Sequence, residues 1–494
     1  VKHVLAIDQG TTGSTCLVFS EDGRVIGRGY REIPQHYPRS GWVEHDANDL
    51  LRSTVEAARE AIDGAGVTPD AMGITNQRET VLLWERSSGE PVGRAIVWQD
   101  RRTAARCAEL AANPATAAAI AERTGLVIDP YFSSTKLEWL LSRGDLRERA
   151  RRGELLAGTV DSWLVWRLTC GAVHATDYTN ASRTMLFDTA ELRWSEDLCE
   201  LFGVPPTILP EARKSSGDFG VAGAEWFGRG IPITGIAGDQ QAALFGQGCC
   251  KEGEGKNTYG TGAFVLLNLG QSRPAPVGGL LTTVACDEHG GPAYAMEGAI
   301  FVAGAAVQWL RDGLGILESA AETETLARGI ESTDGVYFVP ALAGLGAPHW
   351  APDARGTIVG LSRGTTRAHL ARAALEAMAY STADVLDLMR ERGGVVFERL
   401  RVDGGASANG WLMQFQADVL GVPVERPDIV ETTALGAAGL AGIAGGVWSS
   451  ADAFMSKRDF DRFEPGEGSE VARAGAREWD RAVRATLAWA RDAR

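Results

Sequence analysis

The sequence is short of cysteine, of positive charge and of long apolar runs, and each shortage closes off a class of function. Its 494 residues hold only seven cysteines, an odd number with no Cys-x-x-Cys pair. Neither a disulfide framework nor a structural zinc site is supported, and adjacent Cys249 and Cys250 read as buried thiols. Lys and Arg number 49 against 64 Asp and Glu, for a net charge of -15. That balance argues against nucleic acid as a partner, because phosphate backbones require clustered cations. The longest Ala/Gly-rich run, Ala434 to Val447, is too short and too rich in glycine to cross a bilayer. The first residues enter a strand directly, with no signal-peptide pattern. Together these features predict a cytoplasmic protein with no integral membrane segment. Familiar phosphate and metal strings are also missing: there is no Gly-x-x-x-x-Gly-Lys-Ser/Thr, no Gly-x-Gly-x-x-Gly after a strand and no His-Glu-x-x-His.

What is present is size and a repeated kind of turn. A chain of this length, 45% hydrophobic, exceeds one ordinary core and divides most naturally into two large domains, here 1–246 and 247–494. At the midpoint, Ile231 to Ala237 is apolar and β-compatible, Gly238 breaks the run, and Asp239 opens an Ala-rich helix. A carboxylate between a strand end and a helix start is well placed to meet a ligand with charge or hydroxyls. A plain capping Asp is the alternative. Two further Asp–Gly turns follow apolar strands. In Asp8-Gln9-Gly10-Thr11-Thr12-Gly13 the glycines admit an anion to the backbone N–H groups and the threonines supply hydroxyls. Asp8 would repel phosphate, so it is expected to face Mg²⁺. Asp403-Gly404-Gly405-Ala406-Ser407 has room for a flat base or an α-phosphate, and Asn257 to Gly262 is a second Gly/Thr turn. Taken singly, each of these strings also occurs as a structural turn.

Strands are expected at Val4–Asp8, Cys16–Ser20 and Val25–Tyr30, forming an antiparallel meander, and again at Ala71–Thr75, Thr80–Trp84, Leu155–Val160 and Ile231–Ile236. Helices are expected after Asp46 or Asn48 and over Asp100–Ala112. Past the midpoint the plan restarts, with strands at Ala263–Leu269, Gly279–Cys286 and Pro292–Glu297 as a second meander. A helix over Ile300–Leu310, a strand at Arg399–Asp403 and a helix at Asn409–Leu420 follow, and the last forty residues read as a charged helix. The chain therefore reads as a duplicated α/β domain. Between two strands, Asn76 to Thr80 sets Arg78 beside Glu79. The pair suits a hydroxylated ligand and equally suits a solvated ion pair. Gly360-Leu361-Ser362-Arg363-Gly364 matches a hydrolase nucleophile pattern, but only His369 follows it, with no acid between them, so chance is the better reading.

These strings resemble the FGGY carbohydrate kinases, within the fold shared by actin, hexokinase and chaperone ATPases. Asp8 to Thr12 is similar to the family's first phosphate turn, Gly238 to Ala243 to its second, and Asp403 to Asn409 to its adenosine turn. The stretches Tyr131–Leu140 and Gly356–Glu376 fit two family patterns, the second absorbing Ser362. Asn76–Thr80, Val97–Gln99, Gly125–Phe132 and Asp177–Leu186 resemble the members that act on glycerol. The resemblance implies two actin/hexokinase-like (ribonuclease H-like) domains with a cleft between them, ATP and Mg²⁺ as cofactors, glycerol and ATP as partners, and a homo-oligomer, dimer or tetramer. It implies that Arg78, Glu79, Tyr131, Asp239 and Gln240 hold the polyol hydroxyls, that Trp98 and Phe264 back its CH face, and that Asp239 is the catalytic base. Thr11, Thr12 and Gly13 would touch the nucleotide phosphates, Thr261, Gly304, Gln308, Gly405 and Asn409 the rest of the nucleotide, and Asp8 and Asp239 the metal. A kinase of the same family acting on another polyol or a sugar and an actin- or chaperone-like ATPase switch are the rival readings. Enterobacterial members carry Ser at Gly13 and Arg at Thr15. The family's fructose 1,6-bisphosphate loop is Gly-rich, whereas Glu225, Trp226 and Phe227 stand here, so little inhibition by that ligand is expected.

Overall fold

Val4, Leu5, Ala6 and Ile7 are completely buried, and a strand buried on both faces must lie inside a sheet. In the computed structural model of the protein, which describes residues 2–429, 431–456 and 458–492, this strand is β1 (His3–Gln9). It pairs antiparallel with β2 (Gly13–Ser20) and parallel with β4 (Ala71–Asn76), while β3 (Val25–Glu32) continues the meander beyond β2. Beyond β4 lie β6 (Ile231–Gly238), parallel to it, and the short edge strand β5 (Val221–Ala222), giving the order β5-β6-β4-β1-β2-β3. Helix α1 (Ala47–Ala65) packs its buried Leu50, Leu51, Val55 and Ala58 on this sheet, and Asp46 caps it by accepting from the Asn48 N–H.

The second sheet repeats the first. Strand β7 (Gly255–Tyr259) takes the place of β1, β8 (Ala263–Asn268) that of β2, and β10 (Pro292–Ile300) that of β3. Strands β11 (Leu400–Asp403), β12 (Val424–Pro427) and β13 (Phe460–Phe463) take those of β4, β6 and β5, with the same parallel and antiparallel pairings. One expectation fails here. The strand β9 (Leu281–Cys286) is not the middle of a meander but an extra edge strand outside β10. The connection from β8 to β9 carries Pro274 and Pro276 and is too long for a tight hairpin, so adjacency is not enforced.

Smaller shifts have local causes. The Gly/Thr turn expected from Asn257 begins only at Gly260, because Asn257, Thr258 and Tyr259 pair with β8 and belong to β7. The helix expected from Ile300, α3 (Gly304–Gln308), begins only at Gly304, because Ile300 still pairs with Ala263. The helix expected from Asp100 begins at Ala104, because the Asp100 carboxylate instead holds Val43 and Arg102.

The halves are joined through helix α2 (Asp239–Gly246) and helix α5 (Thr432–Ala444), which cross in close contact. A Cβ at Gly436 would lie 1.8 Å from the Ala242 carbonyl oxygen, and one at Gly246 2.1 Å from that of Thr432, so glycine is required for the backbones to approach. Helix α6 (Ser469–Asp492) closes the second half by packing on α4 (Gly410–Leu420). Ala493 and Arg494, the end of the expected tail helix, lie outside the described residues. Among the described residues no helix is long and apolar enough to cross a membrane.

Candidate active site

The turn after β4 places Arg78 and Glu79 in the interior and not in solvent: both are almost fully buried. Glu79 adopts φ of 62°, a left-handed conformation that is uncommon for a side-chain-bearing residue and often marks a functional site. Arg78 spends its donors on a network that crosses between the halves. Its Nη1 donates to Glu297 Oε2 at 2.6 Å and its Nη2 to Glu297 Oε1 at 3.1 Å. Longer contacts of 3.3 Å run to the Tyr131 hydroxyl and to Gln241 Oε1, and Nε lies 3.1 Å from Asp239 Oδ1. Glu79 Oε1 accepts from Arg183 Nε at 2.7 Å, and Arg183 also reaches Glu297 at 3.1 Å.

Burial makes this network electrostatically tense. For Glu297 burial raises the carboxyl's pKa, yet Arg183 and Arg78 outweigh it and hold the group at about 2. Burial alone lowers Arg78, but Glu297, Tyr131, Glu79 and Asp239 push it well above its ordinary value. Glu79 and Asp239 are both raised, chiefly by burial. Asp239 is not the helix cap: Gly238 occupies that position, and the carboxylate accepts from the Gln240 N–H while facing Arg78. Beside it, Gln240 Oε1 accepts from Lys256 Nζ, which also donates to Thr258 at 2.7 Å. Burial lowers Lys256 to about 8.

Trp98 donates its indole N–H to Thr11 Oγ1 at 2.9 Å and meets the Tyr131 ring edge to face at 5.6 Å. Phe264 is half-buried opposite Thr258 across the β7–β8 register. Gly13 leaves no room for a side chain, since a Cβ would fall 2.6 Å from the Tyr30 hydroxyl and 2.7 Å from the Arg31 carbonyl oxygen. Asp8 is pushed up to about 7 by burial and, second, by the nearby Asp239 carboxylate. Two coupled acidic groups at the end of β1 and the start of α2 fit Mg²⁺, a hard cation that takes one or two carboxylates and completes its shell with water and phosphate oxygens. No group of three or more potential metal ligands occurs among the described residues.

Thr261, Gly304, Gln308, Gly405 and Asn409 line one cleft of about 470 Å³ in the second half, with Val307, Leu375 and Met378 as apolar wall. The Thr261 carbonyl accepts from the Ala303 and Ala305 N–H groups at 2.8 and 3.1 Å. Asn409 caps α4 by accepting from Leu412 N–H at 3.0 Å. A Cβ at Gly405 would meet nothing within 4 Å, so open space lies over it, whereas Gly404 has φ of 86° and its Cβ would lie 2.3 Å from the Tyr259 carbonyl oxygen. Thr11, Thr12 and Gly13 belong to the other half and do not line this cleft. Sequence reasoning gave no role to Glu297, Arg183, Gln241 and Lys256: Glu297 and Lys256 sit inside strands, and Gln241 and Arg183 sit within stretches singled out for other residues. The decoy Ser362 is exposed and donates no proton relay: its hydroxyl accepts from the Gly364 N–H, and the His369 ring is engaged by Thr366.

This arrangement, a buried polar pocket and an apolar cleft joined across two copies of one fold, is matched by known sequences. The N-terminal domain of the FGGY family of carbohydrate kinases matches residues 3–246, and its C-terminal domain residues 255–445. The chain belongs to the FGGY family of carbohydrate kinases. This FGGY chain is 54% identical over 501 residues to the glycerol kinase of Bordetella parapertussis, covering 100% of this chain and 98% of that one. It is 52% identical to glycerol kinase 2 of Thermotoga maritima, covering 99% of each. Its structure is similar to that of Plasmodium falciparum glycerol kinase with ADP, at a TM-score of 0.93 and 35% identity over 98% of both chains.

Proposed function

We propose that this protein transfers the γ-phosphoryl group of ATP to glycerol, giving sn-glycerol 3-phosphate and ADP. The observation that carries the reading is the 54% identity, along the whole chain, to a glycerol kinase. The geometry supplies a chemical reason for each step. A polyol hydroxyl entering beside Arg78 displaces the two 3.3 Å contacts to Tyr131 and Gln241 before the short pair to Glu297. Glu79, Tyr131 and Gln240 take further hydroxyls, while Trp98 and Phe264 cover the CH face. Asp239 takes the proton of the attacking hydroxyl. Its pKa, raised by burial, improves it as a base relative to an exposed carboxylate. Thr11, Thr12 and Gly13 hold phosphate oxygens, and Thr261, Gly304, Gln308, Gly405 and Asn409 hold the remainder of the nucleotide. Mg²⁺, when bound by Asp8 and Asp239, supplies neutralisation of the phosphate charge.

Closure of the halves, divided at 246/247, excludes water as a competing acceptor. With this reading go a cytoplasmic location and a homo-oligomer, dimer or tetramer. A coupled assay of ADP release tests it: turnover should require glycerol and be far slower with xylulose or gluconate. ADP release independent of any polyol, or a preference for either sugar derivative, would overturn it.

A further inference from the structure

Near the segment that carries Trp98, a cleft of about 590 Å³ is lined by Arg39, Arg94, Arg102 and Arg143 and by the Glu44 carboxylate, with Trp42 and Trp139 as its walls. In a protein of net charge -15 this is a local inversion of sign. Cations and rings alternate along it. Arg39 lies 5.0 Å from the Trp42 ring, Arg102 lies 3.8 Å from Trp42 and 4.6 Å from Trp139, and Arg143 lies 5.2 Å from Trp139. The two rings meet edge to face at 5.3 Å.

Arg102 is the fixed element. Its side chain is 1% exposed, and it donates to both oxygens of Asp100 at 2.9 and 2.7 Å and to Glu44 at 2.8 Å, through Nε and Nη2. Its Nη1 donates to no other described residue, although Arg102 lines the cleft. The rim is different: Arg39 and Arg143 are exposed and have no carboxylate within 4.0 Å among the described residues, and Arg94 reaches Glu44 only at 3.9 Å. Four guanidiniums against the carboxylates of Glu44 and Asp100 leave two positive charges.

We propose that this cleft is a second anion site that binds a small dianionic phosphate. A dianion matches the uncompensated charge. Arg102 Nη1, oriented by two rings and two carboxylates, supplies a donor whose ordering is already complete, and Arg39 and Arg143 close over the remaining oxygens as charge-assisted donors. The site is apart from both the polyol pocket and the nucleotide cleft, yet Asp100 lies two residues from Trp98 and also accepts from Val43 N–H at 2.7 Å. An occupant therefore bears on the loop that positions Trp98.

Calorimetric titration of the full chain tests this, with a non-hydrolysable ATP analogue and glycerol saturating so that the polyol pocket and the whole triphosphate site, the γ-phosphate position included, are filled. The probes are inorganic phosphate and sn-glycerol 3-phosphate at low ionic strength. One saturable event is expected, weakened by added salt and by about tenfold or more in Arg39→Ser/Arg143→Ser, as loss of hydrogen bonds to a charged group implies. That double variant should keep the wild-type circular dichroism and turnover, and Arg143→Lys alone should fall between. Tighter binding of the monoester than of inorganic phosphate would assign the site to a phosphorylated metabolite, and equal binding to free phosphate. Absence of a saturable event, or identical affinity in wild type and double variant, would overturn the proposal.

Discussion

The proposed polyol pocket and the proposed nucleotide cleft are built from opposite materials. The pocket is made of buried side-chain charge contributed by both halves, with Arg78 and Arg183 shared between Glu79 and Glu297. The cleft is made of backbone and small residues, with Gly304 and Gly405 exposing main chain beside an apolar wall. Paired charges fix the direction of hydrogen bonds and reject a ligand that leaves them unpaired, whereas backbone against an apolar wall accommodates a flat group by shape. Substitution should therefore act on chemistry and folding together in the pocket, and mainly on affinity in the cleft.

The sharpest way to break this contrast is Asp239→Asn. Asparagine keeps the size and can still accept a hydrogen bond from glycerol, but it is a far weaker base. A fall in kcat of about 10²–10⁴ is expected, the usual worth of a positioned general base, with the lower end favoured if proton loss is late in a loose transition state. Glycerol binding measured calorimetrically should weaken only modestly and circular dichroism should not change. A near-wild-type kcat would remove Asp239 as the base.

Arg78→Ala comes next, because it touches both functions of the pocket. It leaves Glu297 and Glu79 dependent on Arg183 alone, and removing one partner of a buried ion pair typically costs about 3–5 kcal/mol. Denaturant unfolding should show a loss of that order, and the surviving folded enzyme a raised KM for glycerol. An unchanged KM in the folded fraction would move the polyol site elsewhere.

Asp8 gives a pH signature at the boundary between the regions. In cation-free protein its folded pKa of about 7 lies above its ordinary 3.8, so the folded chain holds a proton that the unfolded chain has released. Through this group stability is present below pH 4 and is lost as pH rises towards 7. Thermal melts should show that slope, Mg²⁺ should restore stability above pH 7 but not at pH 5, and Asp8→Asn should flatten the profile.

The cleft predicts milder behaviour. Asn409→Ala removes the cap of α4 and the 3.3 Å contact to Thr323, worth about 1 kcal/mol. Unfolding should register about that loss and the KM for ATP should rise several-fold, with kcat nearly constant. A collapse of kcat would show that the cleft, like the pocket, takes part in chemistry.

How much of this was legible follows the same division. The turns at Asp8, Asp239 and Asp403 stand out because glycine and carboxylate fall together after an apolar strand, with hydroxyl side chains added at the first and the third, and the strands before them are present as expected. Arg78 and Glu79 were visible as a pair, but not their burial, since an Arg-Glu dipeptide between strands looks the same in water. Glu297 lies 219 positions from Arg78 within Ala295-Met296-Glu297-Gly298, and no local pattern marks a carboxylate whose partner arrives through the assembly of two domains. Lys256 was hidden likewise, as one cation in a strand. The order of β9 and β10 escaped because periodicity specifies strands and not which edge they occupy.

The smallest expected effect is an absence, at the loop Ala224 to Gly230. A bisphosphate needs backbone N–H groups and free cations. Here two neighbouring cations are already committed: Arg59 donates to the Trp226 and Glu225 carbonyl oxygens at 2.7 and 3.3 Å, and Arg229 to the Pro69 carbonyl oxygen at 3.3 Å. The Glu225 carboxylate, held by Cys170, adds a negative charge, and the Trp226 ring occupies space that a glycine would leave open. Fructose 1,6-bisphosphate at millimolar concentration should therefore change the rate by less than about twofold, since neither charge-assisted bonds nor a free backbone cradle is on offer. Substantial inhibition would show that the bisphosphate acts by another route, and the arginine cleft is the first place to look. If inhibition then vanished in Arg39→Ser/Arg143→Ser but persisted in Glu225→Gln, control would lie at the arginine cleft and not at this loop.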